Sequence, residues 1–294
     1  MIEELKKLPI IKSHYAGKVR DIFDLGEQLL IITSDRISAF DYVFPNIIPD
    51  KGKILNQISL FFFKNTAHII DNHIISDKVE DFPVEFHPFK QQLEGRSVLV
   101  KKTKVIPFEC IARGYISGSA WEEYKQLGTV NSQYIDENMK QSQRFPQPIF
   151  TPSTKASSGH DENISFNKMI ERFDKKIAEQ LRDKSLELYK WAHQFLIERD
   201  IILADTKFEF GSIGSDIYLI DEVFTPDSSR FWDKQEYEIG TSPKSYDKQF
   251  IRDFVVKSGW NKQPPAPELP QEVIEKSLEK YKLVYAKITG EKFV

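Results

Sequence analysis

Ile201–Trp232 reads IILADTKFEFGSIGSDIYLIDEVFTPDSSRFW, a pattern that predicts two strands joined by a turn rich in Gly and Ser. Side chains alternate along a strand, so Asp205, Lys207 and Glu209 would share one face of the first strand. Folding back through the turn would bring Glu209 near Asp221 on the second strand. Two neighbouring carboxylates repel unless a cation lies between them, and oxygen ligands favour Mg²⁺. The stretch therefore predicts a metal site that also holds substrate phosphates.

A plainer interpretation of the same charges is a solvated outer face with a salt bridge through Lys207. That interpretation accounts for any one of the charges. It accounts less well for their position directly after the apolar runs IIL and YLI and before TPDSSR. Charged groups in such surroundings are typical of functional sites, and we favour a functional interpretation.

Composition limits the class of protein. The chain has 294 residues, of which 40% are hydrophobic and 29% charged, as is ordinary for a globular protein large enough for two lobes. Its net charge of −3 gives no electrostatic reason to expect a nucleic-acid partner. Cys110 is the single cysteine, so no intrachain disulfide can form. No feature of the sequence predicts an obligate protein partner.

The sequence also gives an expectation for location. The N-terminal residues MIEELKKLPI include acidic residues and no long apolar core, so we expect no signal peptide. The longest apolar runs, such as Leu29–Ile32 and Leu60–Phe63, are far too short to cross a membrane. A cytoplasmic location without membrane contact is the resulting expectation.

The first hundred residues predict mostly strands and turns. Val19–Leu25 and Leu29–Thr33 form a predicted hairpin, and Ile54–Phe63 is a predicted helix. Arg96–Lys102 shows the alternation of a strand. Residues 106–113 are the predicted crossing into a second lobe.

The second half predicts helices separated by polar connections. Ser119–Glu122 has a capping-box pattern and Gly128 would stop that helix, whereas Asn131–Pro148 predicts a long loop. An apolar stripe before Ile201 predicts a core helix, and a terminal helix follows Pro270. These patterns divide the chain into residues 1–105, residues 106–262, and a linker with a C-terminal helix over 263–294.

Several short motifs carry further candidate ligands. Gly17 and Lys18 would let backbone and an ammonium group approach phosphates, although an ordinary turn is the better interpretation of that pair alone. Ser34–Asp41 follows a buried strand, where the edge of a site and a solvated loop are equally plausible. The polar segment Thr151–Asn163 would order over a substrate, with helix capping by Asn163 or Ser165 as the alternative.

Two motifs indicate anion binding. Arg113–Ser119 leads into a predicted helix start, where free N–H groups and a guanidinium attract anions, and a plain serine cap with a surface arginine is the alternative. Asp227–Arg230 offers a carboxylate, hydroxyls and a guanidinium to a sugar phosphate, although Asp and Ser also favour turns after proline.

Taken together, these pieces resemble the SAICAR synthetase family of purine biosynthesis. Each piece alone is weak, but their order along most of the chain is specific. The likeness runs through GKVRD at 17–21, SDRISAFD at 34–41, ECIARGYISGS at 109–119, TPSTKASSGHDENIS at 151–165, ADTKFEFG at 204–211 and DEVFTPDSSRFWD at 221–233. The pattern is similar to the longer form of the family, with one departure at Ser157-Ser158, where we expect an acidic residue.

The resemblance implies an α+β fold with two lobes. An N-terminal antiparallel sheet similar to a protein-kinase small lobe would cover ATP, and an ATP-grasp-like second lobe would complete the cleft. It implies an ATP-dependent ligase that joins L-aspartate to the carboxylate of a carboxylated aminoimidazole ribotide, giving SAICAR, ADP and phosphate. A carboxylate is a poor electrophile, so activation as an acyl phosphate is the expected route, and positioning rather than a protein nucleophile would drive it.

The resemblance also implies roles for named residues. Glu209 and Asp221 would hold Mg²⁺ against the ATP phosphates, and Lys207 would offset further negative charge beside them. The ATP-binding candidates are Gly17, Lys18, Arg20 and Glu109, the last beside adenine. The substrate-binding candidates are Arg113, Ser119, Asp227 and Arg230 for the ribotide, and Lys155, Arg36 and Ser38 for aspartate.

Two other functions stay open at this point. A kinase-like phosphotransferase would share the ATP and Mg²⁺ features, but the GxGxxG, HRD and DFG motifs of protein kinases are missing from the sequence. A catalytically silent nucleotide-binding module need not keep both Glu209 and Asp221, so the presence of the pair argues against it.

Overall fold

A computed structural model describes residues 1–136, 138–155, 162–246 and 248–293. Over these residues the chain mixes helices with antiparallel sheets, which confirms the predicted α+β class. It divides into two compact units. One comprises Met1–Lys64, Asn72–Thr103 and residues 248–293, and the other comprises Asn65–Asp71 and Lys104–Tyr246. Ser157 and Ser158, the departure from the family pattern, lie outside the described residues.

A five-stranded antiparallel sheet forms the basis of the first unit. The predicted hairpin is its centre, where β2 (Arg20–Asp24) and β3 (Gln28–Thr33) pair from Arg20 opposite Thr33 to Asp24 opposite Leu29. The sheet order is β1 (Ser13–Ala16), β2 (Arg20–Asp24), β3 (Gln28–Thr33), β7 (Ser97–Lys101) and β6 (Ile74–Ser76), and a separate hairpin comprises β4 (Arg36–Ala39) and β5 (Tyr42–Ile47).

The helices of the first unit include both helices predicted for this part of the chain. They are α1 (Ile2–Leu5), α2 (Lys51–Asn65), α3 (Lys90–Leu93), α7 (Gln249–Lys257) and α8 (Gln271–Thr289). Gly290 ends α8 at φ 80°, as a residue without a side chain readily does. The Tyr285 hydroxyl on α8 donates to Gln57 Oε1 on α2 at 3.0 Å. The C-terminal helix therefore packs within the first unit.

A seven-stranded antiparallel sheet is the centre of the second unit. Its longest strand, β14 (Ile201–Ile213), is bordered by several shorter strands and has an almost entirely buried first half. The other strands of this sheet are β8 (Lys104–Val105), β9 (Phe108–Tyr115), β12 (Arg144–Phe150), β13 (Ser153–Thr154), β15 (Asp216–Ile220) and β16 (Ser229–Asp233). β14 pairs with β9 on one side, and with β16 and then β15 on the other.

The helices of the second unit are α4 (Ser119–Leu127), α5 (Phe166–Arg172) and α6 (Lys175–Ile197). The predicted core helix is α6, which packs on β9, β12 and β14. Its apolar stripe is buried because it faces that sheet, and the fully buried members are Ala178, Leu181, Leu188, Ala192 and Leu196.

Two predictions for the second unit were wrong. Gly118, at φ 55°, precedes the first turn of α4, and no side chain caps this helix, so Ser119 is its first residue rather than its cap. Asn131–Pro148 is not one long loop, because it contains β11 (Gln133–Tyr134) and most of β12, while β10 (Thr129–Val130) pairs with β11 just before. Gly128 does end α4, in a left-handed conformation at φ 68°.

No helix within residues 1–136, 138–155, 162–246 and 248–293 is long and apolar enough to span a bilayer.

Candidate active site

Two groups of charged side chains lie along β14. Asp205, Lys207 and Glu209 alternate with Thr206 and Phe208, so the three charges project to one face of the strand, as predicted. The first group, called here the carboxylate cluster, surrounds Lys207 and Glu209 in the middle of the strand. It consists of Glu109, Lys155, Lys207, Glu209 and Asp221.

The carboxylate cluster is connected by two ion pairs. The Lys207 ammonium donates to Glu109 Oε1 on the neighbouring strand β9, and the Lys155 ammonium donates to Glu209 Oε2. Glu109 and Glu209 side chains are nearly buried, with 11% and 12% of their surface exposed. Ser153 Oγ also donates to Glu109 Oε2, at 3.4 Å. Each lysine therefore neutralises one carboxylate that has little access to water.

Asp221 completes this cluster from the second strand of the hairpin. In the ladder Glu209 stands opposite Ile220, so Asp221 lies one residue past the paired position, where β15 has ended. Its backbone is left-handed at φ 65°, which aspartate tolerates better than most residues. The sequence predicted Asp221 on the second strand, but β15 ends at Ile220 because the chain turns at Asp221.

Electrostatics connects Asp221 to Glu209. Burial first, and the negative charge of Asp221 second, raise the pKa of the Glu209 carboxyl, and the ammonium groups of Lys155 and Lys207 offset this only in part. Burial would lower the pKa of Lys207, but Glu109 and Glu209 outweigh it and raise that pKa. Lys207 is therefore a cation at neutral pH and is unsuited to act as a general base.

A cation is the ligand that this arrangement fits. Glu209 and Asp221 are two oxygen donors whose mutual repulsion a divalent ion would remove, and hard cations such as Mg²⁺ take carboxylate ligands together with substrate phosphates. Within the described part of the chain, no group of three or more His, Cys, Asp or Glu residues is arranged to hold a metal. A two-carboxylate site that relies on substrate oxygens for its remaining ligands is compatible with both observations.

The second group, called here the arginine cluster, surrounds the buried start of β14. Asp205 accepts hydrogen bonds at one oxygen, Oδ2, from Arg113 Nη1 at 2.9 Å and from Arg230 Nη1 at 2.6 Å. Arg230 Nη1 also donates to Ser117 Oγ at 3.0 Å, and Arg113 Nε donates to Thr151 Oγ1 at 2.9 Å. The arginine cluster thus consists of Asp205, Arg113, Arg230, Ser117 and Thr151.

The arginine cluster carries an excess of positive charge. Burial lowers the pKa of the Arg113 guanidinium, Asp205 opposes this, and the charge of Arg230 lowers it further. The Arg113 side chain is only 6% exposed, whereas that of Arg230 is 26% exposed. Arg230 is therefore the guanidinium that an incoming anion can reach more readily.

Gly118 allows Arg230 to reach this position. A Cβ atom at residue 118 would lie 2.2 Å from Arg230 Nη2, and the backbone there has φ 55°. Ser119 follows as the first residue of α4, so the first turn of that helix begins directly beside the guanidinium. N–H groups of a first helical turn attract anions, which is the surrounding that the sequence predicted for residues 113–119.

Asp227 lies in the turn that precedes β16. Its backbone N–H donates to Thr225 Oγ1 at 3.2 Å, and the Ser228 N–H donates to the Thr225 carbonyl at 3.1 Å. Ser229 Oγ contacts Thr206 Oγ1 at 2.8 Å. The Asp227–Arg230 motif thus forms part of a turn, and this turn positions Arg230 in the arginine cluster.

The remaining predicted site residues belong to the first unit. The Arg36 guanidinium donates to the carbonyls of Gly17 and Lys18, at 3.0 Å each, and to Asp21 Oδ2 at 2.9 Å. Lys18 forms an exposed ion pair with Asp41. Arg36 therefore fixes the turn at the start of the first hairpin. Ser38 is buried in β4, and Arg20 begins β2 opposite Thr33.

Sequence reasoning missed three members of the arginine cluster. Asp205 was noticed among the charges of the strand but was given no role, although its position directly after the apolar run IILA was the available signal. Ser117 and Thr151 lie within two of the motifs that the sequence analysis named, but neither residue was given a role. They join the cluster because the segment after β9 brings Ser117 to Arg230, and the segment after β12 brings Thr151 to Arg113.

Known proteins of one family are similar to this chain in sequence. The family model described as SAICAR synthetase matches residues 13–267. The phosphoribosylaminoimidazole-succinocarboxamide synthases of Geotalea uraniireducens and Elusimicrobium minutum are 53% and 50% identical to this chain over 283 residues, which are 96% of this chain and 96% of each relative.

Solved structures agree with the sequence comparisons. A SAICAR synthase from Saccharomyces cerevisiae complexed with SAICAR has a TM-score of 0.89 and 40% identity, covering 97% of both chains. A type-2 SAICAR synthetase in complex with ADP has a TM-score of 0.69 and 25% identity, covering 96% of this chain and all of that one. The chain therefore belongs to the SAICAR synthetase family, the carbon–nitrogen ligases of purine biosynthesis.

Proposed function

We propose that the chain joins L-aspartate to the carboxylate of 5-amino-1-(5-phosphoribosyl)imidazole-4-carboxylate, with ATP as co-substrate and through an acyl phosphate. The observation that carries this proposal is the likeness, over 97% of both chains, to the yeast enzyme complexed with SAICAR. The family relative complexed with ADP supports the use of ATP. A cytoplasmic location remains the expectation from the sequence.

The carboxylate cluster is our candidate for the ATP side of the reaction. Glu209 and Asp221 would hold Mg²⁺, because burial and their mutual repulsion already favour a cation there. A bound Mg²⁺ would neutralise charge on the phosphates during phosphoryl transfer. Lys207, held by Glu109, would add a fixed positive charge, and Lys155 would exchange its ion pair with Glu209 for a substrate carboxylate.

The arginine cluster is our candidate for the ribotide side. Arg230 would bind the ribotide phosphate together with the first turn of α4 at Ser119. Arg113 is almost fully buried against Asp205 and Thr151, so we propose that it mainly holds these two side chains in position. Asp227 would contact the ribose from the turn before β16.

The first unit supplies the other candidates. Gly17, Lys18 and Arg20 would contact the ATP phosphates from the first hairpin, and Glu109 of the second unit would lie beside adenine. Arg36 and Ser38 were predicted to face aspartate. Since the Arg36 guanidinium donates to two carbonyls of the 17–21 turn, we propose that it shapes this turn as well.

The proposed chemistry has two balanced steps. A carboxylate oxygen of the ribotide would attack the terminal phosphorus of ATP, so that an oxygen–phosphorus bond forms and the bond to ADP breaks. The aspartate amine would then attack the acyl carbon, and inorganic phosphate would leave as the amine loses a proton. The protein would contribute orientation and charge neutralisation, not a nucleophile.

An ADP-release assay tests the ligase. We expect repeated turnover of ATP to ADP with the ribotide only when aspartate is present, with one succinocarboxamide per ADP. Without aspartate, the first step alone would give at most one ADP per protein molecule. Aspartate-independent ADP release at the same rate would instead support the kinase-like phosphotransferase, and no release under any condition would support a silent nucleotide-binding module.

Isotope transfer tests the acyl phosphate. With ¹⁸O in the ribotide carboxylate, the two steps above transfer one labelled oxygen into the released phosphate for each turnover. Mass spectrometry of the phosphate measures this transfer. Phosphate without label, formed in step with product, would rule out carboxylate activation by ATP.

A further inference from the structure

The second unit contains a cavity of about 220 Å³, and no residue of either charged cluster lines it. It lies where α6 faces β12, next to β9. Its lining includes Gly114, Arg144, Pro146, Pro148, Lys190 and His193.

An irregularity in β12 creates this cavity. β12 pairs with β9 at Arg144 opposite Tyr115 and again at Ile149 opposite Arg113, so the residues between them have no regular partners on β9. Two of these are Pro146 and Pro148, which lack the N–H that a ladder hydrogen bond needs. The segment therefore bulges away from β9 and leaves space against α6.

Glycine and tyrosine form the floor of the cavity. A Cβ atom at residue 114 would lie 1.8 Å from the Tyr189 hydroxyl, so only glycine fits there. The Tyr189 hydroxyl donates to the Leu203 carbonyl at 2.6 Å, which fixes the ring. Arg113 precedes Gly114 on the same strand and, by the alternation of β9, projects to the opposite face of the sheet, where the arginine cluster lies.

The charged side chains that line the cavity are both cations. Arg144 and Lys190 are exposed cations, and over the residues that the structure describes neither forms an ion pair or a side-chain hydrogen bond. No Asp or Glu of the described chain lines the cavity. The nearby carboxylate Glu187 on α6 already accepts from Lys184 at 3.0 Å.

His193 adds a polar group that carries no charge at neutral pH. Burial first, and the positive charge of Arg144 second, lower the pKa of its imidazole to about 4. His193 Nε2 is 3.2 Å from the Tyr115 hydroxyl, and the two rings stack. The imidazole is thus fixed in the wall of the cavity. It lies close enough to Arg144 to respond to a change in the charge around that guanidinium.

We propose that this cavity is a second ligand site, which binds a small oxyanion of the phosphate or carboxylate class between Arg144 and Lys190. A guanidinium offers a planar fork to such a group, and an ammonium adds a point charge. The volume is below the roughly 300 Å³ at which pockets begin to hold drug-sized ligands, so the ligand is a small anion and not a nucleotide. The site is separate from the proposed substrate sites, and none of its cations has a role in the proposed reaction.

Histidine NMR on the full chain tests this proposal with a local signal. The protein is labelled at histidine Cε1, and the His193 resonance is assigned from the spectrum of His193→Gln. Inorganic phosphate and succinate are then titrated separately at constant ionic strength. We expect a saturable shift of the His193 resonance with at least one of the two anions, and the anion that acts distinguishes phosphate from carboxylate ligands.

Charge variants identify the residues that hold the anion. Arg144→Gln with Lys190→Gln should weaken the saturable response about tenfold or more, because charge-assisted hydrogen bonds are lost. The matched control, Arg172→Gln with Lys176→Gln, removes two exposed positive charges from α5 and α6 outside the cavity and should leave the response unchanged. Turnover should stay within about twofold in both double variants.

Three results would overturn the proposal. One is a His193 resonance that neither anion shifts in a saturable way. Another is an equal response in the Arg144→Gln, Lys190→Gln variant. The third is loss of the response in Arg230→Ala, which would place the anion in the arginine cluster and not in the cavity.

Discussion

The two clusters of the second unit lie along one strand, yet their charge imbalances are opposite. The carboxylate cluster has more carboxylates than ammonium groups, and the arginine cluster has more guanidinium groups than carboxylates. Burial and like charges raise the pKa of Glu209 in one, and lower that of Arg113 in the other. A ligand of opposite charge would relieve each imbalance. The comparison teaches that the same alternation of side chains can place an excess of negative charge and an excess of positive charge a few residues apart.

Removing one carboxylate of the proposed metal site should have the largest effect. Asp221→Asn should lower kcat by about a thousandfold or more, because metal-based charge stabilisation contributes several kcal/mol to the transition state. Asparagine tolerates the left-handed backbone at this position, so the fold should be kept. Steady-state kinetics and circular dichroism measure the two effects.

Asp216→Asn is the matched control, because it removes an exposed carboxylate from the same hairpin. It should leave kcat within about twofold. Near-normal turnover of Asp221→Asn at limiting Mg²⁺ would remove Asp221 from the metal site.

Removing the carboxylate of the arginine cluster should mainly affect stability. Asp205→Asn leaves Arg113 and Arg230 without the charge that both contact, and breaking a buried ion pair in this way costs about 3 kcal/mol of unfolding free energy. Urea denaturation measures the change. Asp183→Asn, which breaks an exposed pair with Arg182, should change the same quantity by about 0.5 kcal/mol at most. Equal effects of the two variants would mean that Asp205 is not the centre of the cluster.

Shortening the accessible guanidinium should separate the two substrates. Arg230→Ala should raise KM for the ribotide about tenfold to a hundredfold, and more than KM for ATP, since charge-assisted hydrogen bonds to the ribotide phosphate are lost. Arg230→Lys should recover part of the loss, because it restores the charge without the fork. A larger increase in KM for ATP would mean that the substrates are placed the wrong way round along β14.

The smallest effect concerns Glu209 and pH. Its folded-state pKa is raised above the ordinary 4.5, so its contribution to stability is complete below that value and is lost as pH rises through the raised pKa. Glu209→Gln should therefore melt at a higher temperature than the unmodified chain at neutral pH, without ligands. The difference should shrink as the pH falls. Calorimetry over a pH series measures it.

Ligands should reverse this order of melting temperatures. Mg²⁺ with ATP should stabilise the unmodified chain and have little effect on Glu209→Gln, because the variant lacks one metal ligand. Glu171→Gln, an exposed change on α5, should alter neither profile. A variant that is less stable than the unmodified chain at neutral pH would show that the ion pair with Lys155 outweighs burial and Asp221.

Local patterns predicted the elements whose signals are periodic. The hairpin of β2 and β3, the helices α2, α6 and α8, and the glycine at the end of α4 follow from alternation, apolar stripes and helix-stop signals. The cap of α4 was mispredicted because Gly118 occupies the cap position, for a reason that lies 112 residues away. A side chain there would clash with Arg230.

Long-range pairing set the limits of prediction for the candidate site. Glu209, Lys207 and Asp221 could be named from a single hairpin, because a short turn fixes which residues come near each other. Asp205 could not be identified as the centre of the arginine cluster, since its partners lie on β9 and β16. The irregular part of β12 was predicted as loop because its prolines hide a strand that pairs only at its two ends.

By itself, the sequence determined the α+β class, the family and the charged alternation of β14, because these depend on residue order and on the period of a strand. The tertiary structure decided which charges meet. It paired Lys207 with Glu109 and Lys155 with Glu209, joined two arginines to one oxygen of Asp205, and left Arg144 and Lys190 at the rim of a separate cavity. These contacts depend on packing between residues far apart in the chain, which no local pattern encodes.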